Sequence, residues 1–358
     1  MDQLITIADY ERAAAAAFTP GARAYFNGGA GDEITLRDNA AAWGRLAIHP
    51  RMLVGVGTRD PSVTVLGRER PHPLMVAPMA YQRLAHGEGE VATARGADAA
   101  GAVMCLSTLA TTGVRALARE VPDATRWFQL YVYEDRGISR ELVARAVDHG
   151  YEALIITVDL PVRGVREREL RVEAESVAAA LGADPYAIGP GRDDLMTPGD
   201  VAALVDPTLS WSDVERIAAD CPLPTIIKGI LTPADARRAL EHGARGVVVS
   251  NHGGRQLDTV LATADALPPI VDAVGGQLEL FVDGGIRRGT DVLKALALGA
   301  RAVLVGRPAL WGLALAGADG VQRVLQLLLS EFDAALALAG VPRARDLEPT
   351  LLGAAPWA

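Results

Sequence analysis

The stretch SNHGGRQLD, residues 250–258, sets His252 and Arg255 three positions apart, directly after the apolar run GVVV. An imidazole that is neutral near pH 7 is a suitable proton acceptor. A guanidinium is a planar fork that matches a carboxylate. Together they describe a site that takes a proton from a small anionic substrate; the plainer alternative is a polar loop that happens to hold both. Asp159 ends another apolar run, ALIITVD (153–159). A buried carboxylate there would hold the imidazole and stabilise its protonated form, while its simpler role is to cap the next turn. Lys228 sits near the end of PTIIKGI (224–230). Its options are a snorkelling surface lysine, a Schiff-base nucleophile, or a cation that offsets charge on a redox cofactor.

A second constellation lies further on. VDGGIRRGTDVLKAL (282–296) and VGRPALW (305–311) each end an apolar run with glycine and open a helical pattern. Glycines let backbone N–H groups approach a phosphate, and a helix N-terminus favours negative charge. Arg287 and Arg307 can add charge-assisted hydrogen bonds. The alternative is turn glycine with surface arginine. The phosphate reading implies a phosphorylated substrate or a cofactor such as FMN.

These residues need a frame. Eight β-rich apolar runs recur, each followed by an Ala/Leu/Arg-rich helical pattern: 74–79, 102–107, 126–132, 153–159, 224–230, 246–251, 280–285 and 302–307. Continuous apolar strands alternating with helices imply a parallel sheet covered on both faces. Eight units suggest an α/β fold closed as a (β/α)8 TIM barrel. Polar groups cluster where the runs end: Ser107, Tyr131, Asp159, Lys228, His252, Asp283 and Arg307. A barrel brings those ends to one mouth, with the phosphate site in the loops after strands seven and eight. The chain is read as a single domain over 1–358: an extension (1–70), helical and then irregular, the barrel (71–315), and a C-terminal helix and tail (316–358). Residues 163–210 are charged and rich in Gly and Pro, which suggests a long active-site loop.

Composition narrows the partners. Among 358 residues, 35 Lys and Arg face 44 Asp and Glu, a formal net charge of −9. That balance excludes a nucleic-acid binder. The two cysteines, Cys105 and Cys221, have neither metal-ligand spacing nor a disulfide framework around them. No metal site is expected. No run approaches the roughly 20 apolar residues of a membrane helix, and the N-terminus lacks the basic start of a secretory signal. The expectation is a cytoplasmic protein with no membrane partner.

SNHGGRQLD resembles the signature of the FMN-dependent α-hydroxy acid oxidases and dehydrogenases, which include glycolate oxidase, lactate oxidase and mandelate dehydrogenase. The likeness runs over nearly the whole chain, through YFNGGAGDE, APMA, AHGEGE, FQLYVYED, TVDLPVRGVRERE, IIKGI, DGGIRRGTDVLKALALGA and VGRP. It implies that His252 is the base at the substrate α-carbon or hydroxyl and that Asp159 is its acidic partner. Arg255 and Tyr25 would clamp the carboxylate, Tyr131 would bond near the reacting hydroxyl, and Arg166 would support substrate and dyad. Lys228 would contact the flavin. Ala77, Pro78, Met79 and Ala80 would line it by backbone. Ser107, Gln129, Thr157 and Ser250 would bond its ring, while Asp283, Gly284, Gly285, Arg287, Gly306 and Arg307 would hold its ribityl phosphate.

The reaction so implied is FMN-dependent oxidation of an (S)-2-hydroxy acid to a 2-oxo acid, with dioxygen or another electron acceptor. Leu109 stands where glycolate-oxidising members carry tryptophan, and Tyr81 replaces a common aliphatic residue. Such a pocket favours an aryl group, as in the mandelate and 4-hydroxymandelate oxidases of glycopeptide-antibiotic biosynthesis. Lactate or a medium-chain hydroxy acid is the alternative substrate, and a Schiff-base aldolase barrel the alternative chemistry. Family members imply a homotetramer.

Overall fold

The computed structural model describes residues 3–172 and 205–357. Eight strands close into a parallel barrel: β1 (Leu74–Met79), β2 (Val103–Ser107), β3 (Arg126–Leu130), β4 (Leu154–Thr157), β5 (Thr225–Ile230), β6 (Gly246–Val249), β7 (Glu279–Val282) and β8 (Ala302–Val305). Each pairs with its sequence neighbours, and β8 returns to β1 through Val303–Leu74, Leu304–Met75 and Val305–Val76. Most strand residues are buried because helices cover the outer face and side chains fill the inside. That double burial is why the runs read as unbroken hydrophobic stretches. Where the sequence runs overshoot, the strands end at Leu130, Thr157, Val249 and Val282. The polar residues that follow leave the ladder and turn into the mouth. Register fixes their level: Ser107 lies opposite Gln129, and Thr157 opposite Lys228.

The N-terminal extension starts with helix Ile7–Ala17, whose capping box pairs the Thr6 side chain with the Asp9 N–H and the Asp9 carboxylate with the Thr6 N–H. Helices Pro20–Asn27 and Ile34–Gly44 follow. The stretch read as irregular holds three-residue strands: Leu46–Ile48, and a hairpin of Val63–Val65 with Arg68–Arg70. Leu46–Ile48 pairs antiparallel with Leu352–Ala354, so the first and last parts of the chain share one small sheet. The helix after β8 continues from Arg307 to Ala339 and breaks at Ala316 and Gly317, where φ is 56° at Gly317. Its two halves fold against each other so closely that a Cβ on Gly320 would lie 1.9 Å from the Gly312 carbonyl oxygen.

Of the segment read as a long loop, helix Glu167–Leu170 and a bridge between Tyr133 and Val205 are described. The rest of that expectation, residues 173–204, lies outside the described residues. Among the described residues no helix is long and apolar enough to cross a membrane, and no cluster of His, Cys, Asp or Glu could hold a metal ion.

Candidate active site

The C-terminal ends of the strands open into one cavity. It is lined by His252, Arg255, Tyr25, Tyr131, Arg166 and Lys228, by Ala77, Pro78 and Met79 at the end of β1 with Ala80 and Tyr81 beyond it, and by Ser107 at the end of β2 with Leu109 beyond it. Asp283, Gly284, Gly285, Arg287, Gly306 and Arg307 line it as well. Four further residues singled out from the sequence sit behind this wall: Gln129, Thr157, Asp159 and Ser250, all but Asp159 almost fully buried.

His252 and Asp159 form a dyad. The Asp159 Oδ1 lies 2.9 Å from His252 Nδ1, which leaves Nε2 facing the cavity, 3.4 Å from the Tyr131 hydroxyl. Burial lowers the imidazole below its ordinary value against the opposing pull of Asp159, so the ring rests neutral near pH 7. Burial pushes Asp159 the other way, but His252, Lys228 and hydrogen bonds outweigh it and keep the carboxyl below its usual range. The pair is therefore a neutral imidazole oriented by a carboxylate, a form suited to accepting a proton at Nε2. Burial raises the Tyr131 phenol well above its ordinary value, so that hydroxyl stays a donor.

Lys228 donates to Ser250 Oγ at 2.9 Å and lies 3.3 Å from Asp283 Oδ2. Burial favours its neutral form, yet Asp283 and Asp159 prevail and raise its pKa. A lysine held charged and bonded is a fixed cation, not a Schiff-base nucleophile.

Arg255, expected from the sequence to clamp a carboxylate, is anchored on one side and keeps donors to spare among the described residues. Arg255 gives Nη1 to the carbonyls of Tyr25 and Gly28 and one Nη2 proton to Glu169 Oε1 at 3.3 Å. Of the five guanidinium N–H groups, the Nε–H and one Nη2–H have no partner among the described residues, and together they form one edge of the fork. The guanidinium also lies over the Tyr25 ring, 4.8 Å from its centre. Arg166 donates Nε to the Arg255 carbonyl at 2.9 Å and Nη2 to Gln256 Oε1 at 3.0 Å. Burial, with Arg255 beside it, brings Arg166 down to about 10.

Two of these partners escaped the sequence reading. Glu169 is a carboxylate shared by Arg163, Arg166 and Arg255. Gln256 ties Arg166 to the Asp159 carbonyl. Both lie inside quoted motifs, and for Glu169 the available signal was an acid interleaved with arginines, three residues after Arg166 and one after Arg168. Arg163, Leu160 and Phe26 also line the cavity unforeseen.

Next to Arg255, with which it shares the Gly28 carbonyl, Arg307 donates to the carbonyls of Phe26, Gly253 and Gly28 at 2.9, 3.0 and 2.9 Å. Arg287 stacks over Trp311 at 4.8 Å. Neither makes an ion pair among the described residues, and burial lowers both, Arg307 to about 9. Two desolvated cations without a carboxylate are costly unless an anion completes them. Nearby, Gly284 and Gly285 have φ of 91° and 81°. Their lack of a side chain also serves packing, since a Cβ on Gly285 would lie 1.9 Å from the Asn39 carbonyl oxygen.

This cavity fits FMN. The arginine pair suits a terminal phosphate, and Gln129 Nε2, Thr157 Oγ1 and Asp283 Oδ1 are buried without a partner among the described residues. Buried polar groups are normally satisfied, and a flavin ring edge with its own donors and acceptors would satisfy them. Lys228 lies among them, where a cation offsets negative charge gained on reduction. Fold and cavity thus define a flavin-binding (β/α)8 barrel with a His–Arg pair in its mouth.

Sequence comparison makes the assignment specific: residues 14–354 match the FMN-dependent dehydrogenase family, and the chain belongs to it, with FMN as its cofactor. It is 47% identical to an L-lactate oxidase from Nostoc sp., over 97% of this chain and 98% of that protein. It is 44% identical to human 2-hydroxyacid oxidase 1, over 100% of this chain and 99% of that protein. Among solved structures, mandelate oxidase with benzoyl-formic acid superposes with a TM-score of 0.85 at 41% identity, covering 98% of each chain.

Proposed function

We propose that this protein oxidises an (S)-2-hydroxy acid to the 2-oxo acid, with an aryl substituent preferred, as in mandelate or 4-hydroxymandelate, and with dioxygen as the electron acceptor. The observation that carries the reading is one cavity holding the free edge of Arg255 and the proton-accepting Nε2 of a neutral His252. Arg255 binds the substrate carboxylate, with Tyr25 beneath it. Arg166 stands beside it and is braced through Gln256. Tyr131 donates to the substrate oxygen. His252 takes the proton at Nε2, and Asp159 stabilises the imidazolium so formed. Bound FMN supplies the two-electron acceptor of the oxidation.

The aryl preference rests on Leu109 and Tyr81, which line the cavity together. Leucine leaves room that a tryptophan would fill. Tyr81 offers a ring face to an aromatic substituent and packs on Tyr25, with ring centres 5.6 Å apart. The likeness to a lactate oxidase at 47% identity favours a second reading, in which a small aliphatic acid is the substrate. The two are separated by mixing the yellow holoenzyme anaerobically with (S)-mandelate, 4-hydroxymandelate, lactate, glycolate and 2-hydroxyoctanoate and following the flavin band. Fastest bleaching by an aryl acid supports the proposal; a persistent oxidised spectrum with both aryl acids rejects the aryl assignment.

A further inference from the structure

Glu90 has no exposed surface and no cation partner among the described residues. An isolated buried carboxylate is expensive unless it is hydrogen-bonded. This one sits in the first turn of helix Gly89–Ala99, where the helix dipole favours negative charge. It also meets three donors. Its Oε1 accepts the Gln82 N–H at 3.1 Å and the Thr111 N–H at 2.9 Å. Its Oε2 accepts the Thr111 hydroxyl at 2.6 Å. The first donor follows Tyr81 in the chain, and the others lie two residues past Leu109. One carboxylate therefore joins the loops after β1 and β2, the two that carry the aryl-facing walls.

The joint is needed because Tyr81 is strained. Its φ is 56°, a left-handed conformation that costs a bulky residue on the order of 1–3 kcal/mol. Such a conformation persists only when its surroundings over-determine it. Here the Tyr81 N–H donates to the Leu109 carbonyl at 3.1 Å. The next residue, Gln82, is pinned on three sides: by Glu90 at its N–H, by the Thr93 hydroxyl at 2.6 Å, and by the Met79 carbonyl at 3.3 Å. Neither Glu90 nor Thr111 lines the cavity.

We propose that Glu90 is a positioning residue for substrate choice: it sets the width of the cavity by holding the Tyr81 turn against the Leu109 loop. The inference rests on the 2-hydroxy acid reading for its substrates. The test is the ratio of kcat/KM for (S)-mandelate to that for glycolate. In Glu90→Ala this ratio is expected to fall about tenfold, through KM for mandelate, with FMN content unchanged. Glu90→Gln can accept both backbone N–H groups and donate to the Thr111 hydroxyl, so it is expected to restore the ratio to within about twofold. Thr111→Val, which removes one bond and little volume, is expected to lower the ratio about threefold and decides the matter if Glu90→Ala does not fold. An unchanged ratio in folded Glu90→Ala, a proportional loss with both substrates, or an unchanged ratio in Thr111→Val overturns the proposal. A wild-type enzyme that no hydroxy acid reduces would instead refute the substrate reading. In that case a crystal structure of Glu90→Ala or Thr111→Val still decides: a displaced Tyr81 turn supports the inference, and an unmoved one overturns it.

Discussion

A glycine outside the cavity gives the sharpest test of the dyad. Gly229, in β5 next to Lys228, has φ of 107°, and a Cβ there would lie 2.6 Å from Asp159 Cβ and 2.7 Å from its Cγ. Carbon atoms in ordinary contact sit at about 3.5–4.0 Å, so Gly229→Ala must drive Asp159 away by about 1 Å. The bond from Asp159 to His252 Nδ1 is 2.9 Å long, and a stretch of that size takes it past the ~3.6 Å at which a hydrogen bond ceases to count. Loss of a bond to a charged group costs about 1.5–3 kcal/mol, which is roughly a 10- to 100-fold fall in rate if it is felt in the transition state. The assay is single-turnover flavin reduction by saturating substrate in Gly229→Ala, Asp159→Asn and the double variant. Gly229→Ala should lose rate with little change in KM, and the double variant should be no slower than Asp159→Asn alone, because both changes remove the same interaction. A folded Gly229→Ala with wild-type rate, or a double variant in which the two losses multiply, refutes the reasoning.

Four further outcomes follow from the site. The base must be neutral, and burial holds His252 below the ordinary imidazole value, so the acid limb of kcat/KM should lie below that of a free imidazole. Asp159 raises His252; hence Asp159→Asn should move that acid limb still lower while reducing the rate, and a limb that moves upward in a pH–rate profile contradicts the assignment. Arg307→Met removes charge-assisted bonds to the phosphate of FMN and should weaken its binding about 10- to 100-fold, read by flavin retention on dialysis; full retention would detach Arg307 from the phosphate. Leu109→Trp should lower kcat/KM for (S)-mandelate at least about tenfold while sparing glycolate, because overpacking costs about 1–3 kcal/mol.

Much of this was readable before any coordinates. The barrel was legible because burial on both faces leaves parallel strands uniformly apolar, and the mouth was legible because Asp159, Lys228, His252 and Asp283 stand at or just beyond those apolar ends. The groups that aim these residues were not. Glu169 reaches Arg255 across 86 positions and Gln256 reaches Arg166 across 90, and no local periodicity encodes such pairs. Gly285 reads as a phosphate-approach glycine, yet its space is also taken by the Asn39 backbone. The three-residue strands at 46–48 and 352–354 are too short to show alternation, and each exists only because the other is present.

That last pairing, with the closure of β8 on β1, bears on when the enzyme comes into being. The seam Leu74–Val303 cannot be sewn until the eighth strand has been made, and the pairing of Leu46–Ile48 with Leu352–Ala354 fastens the rim later still. Contacts of such long reach form late and slowly. Arg287 and Arg307 also lie just beyond the last two barrel strands. A chain whose eighth strand has not yet paired with the first therefore has no closed cavity, and capture of the prosthetic group must follow closure of the barrel.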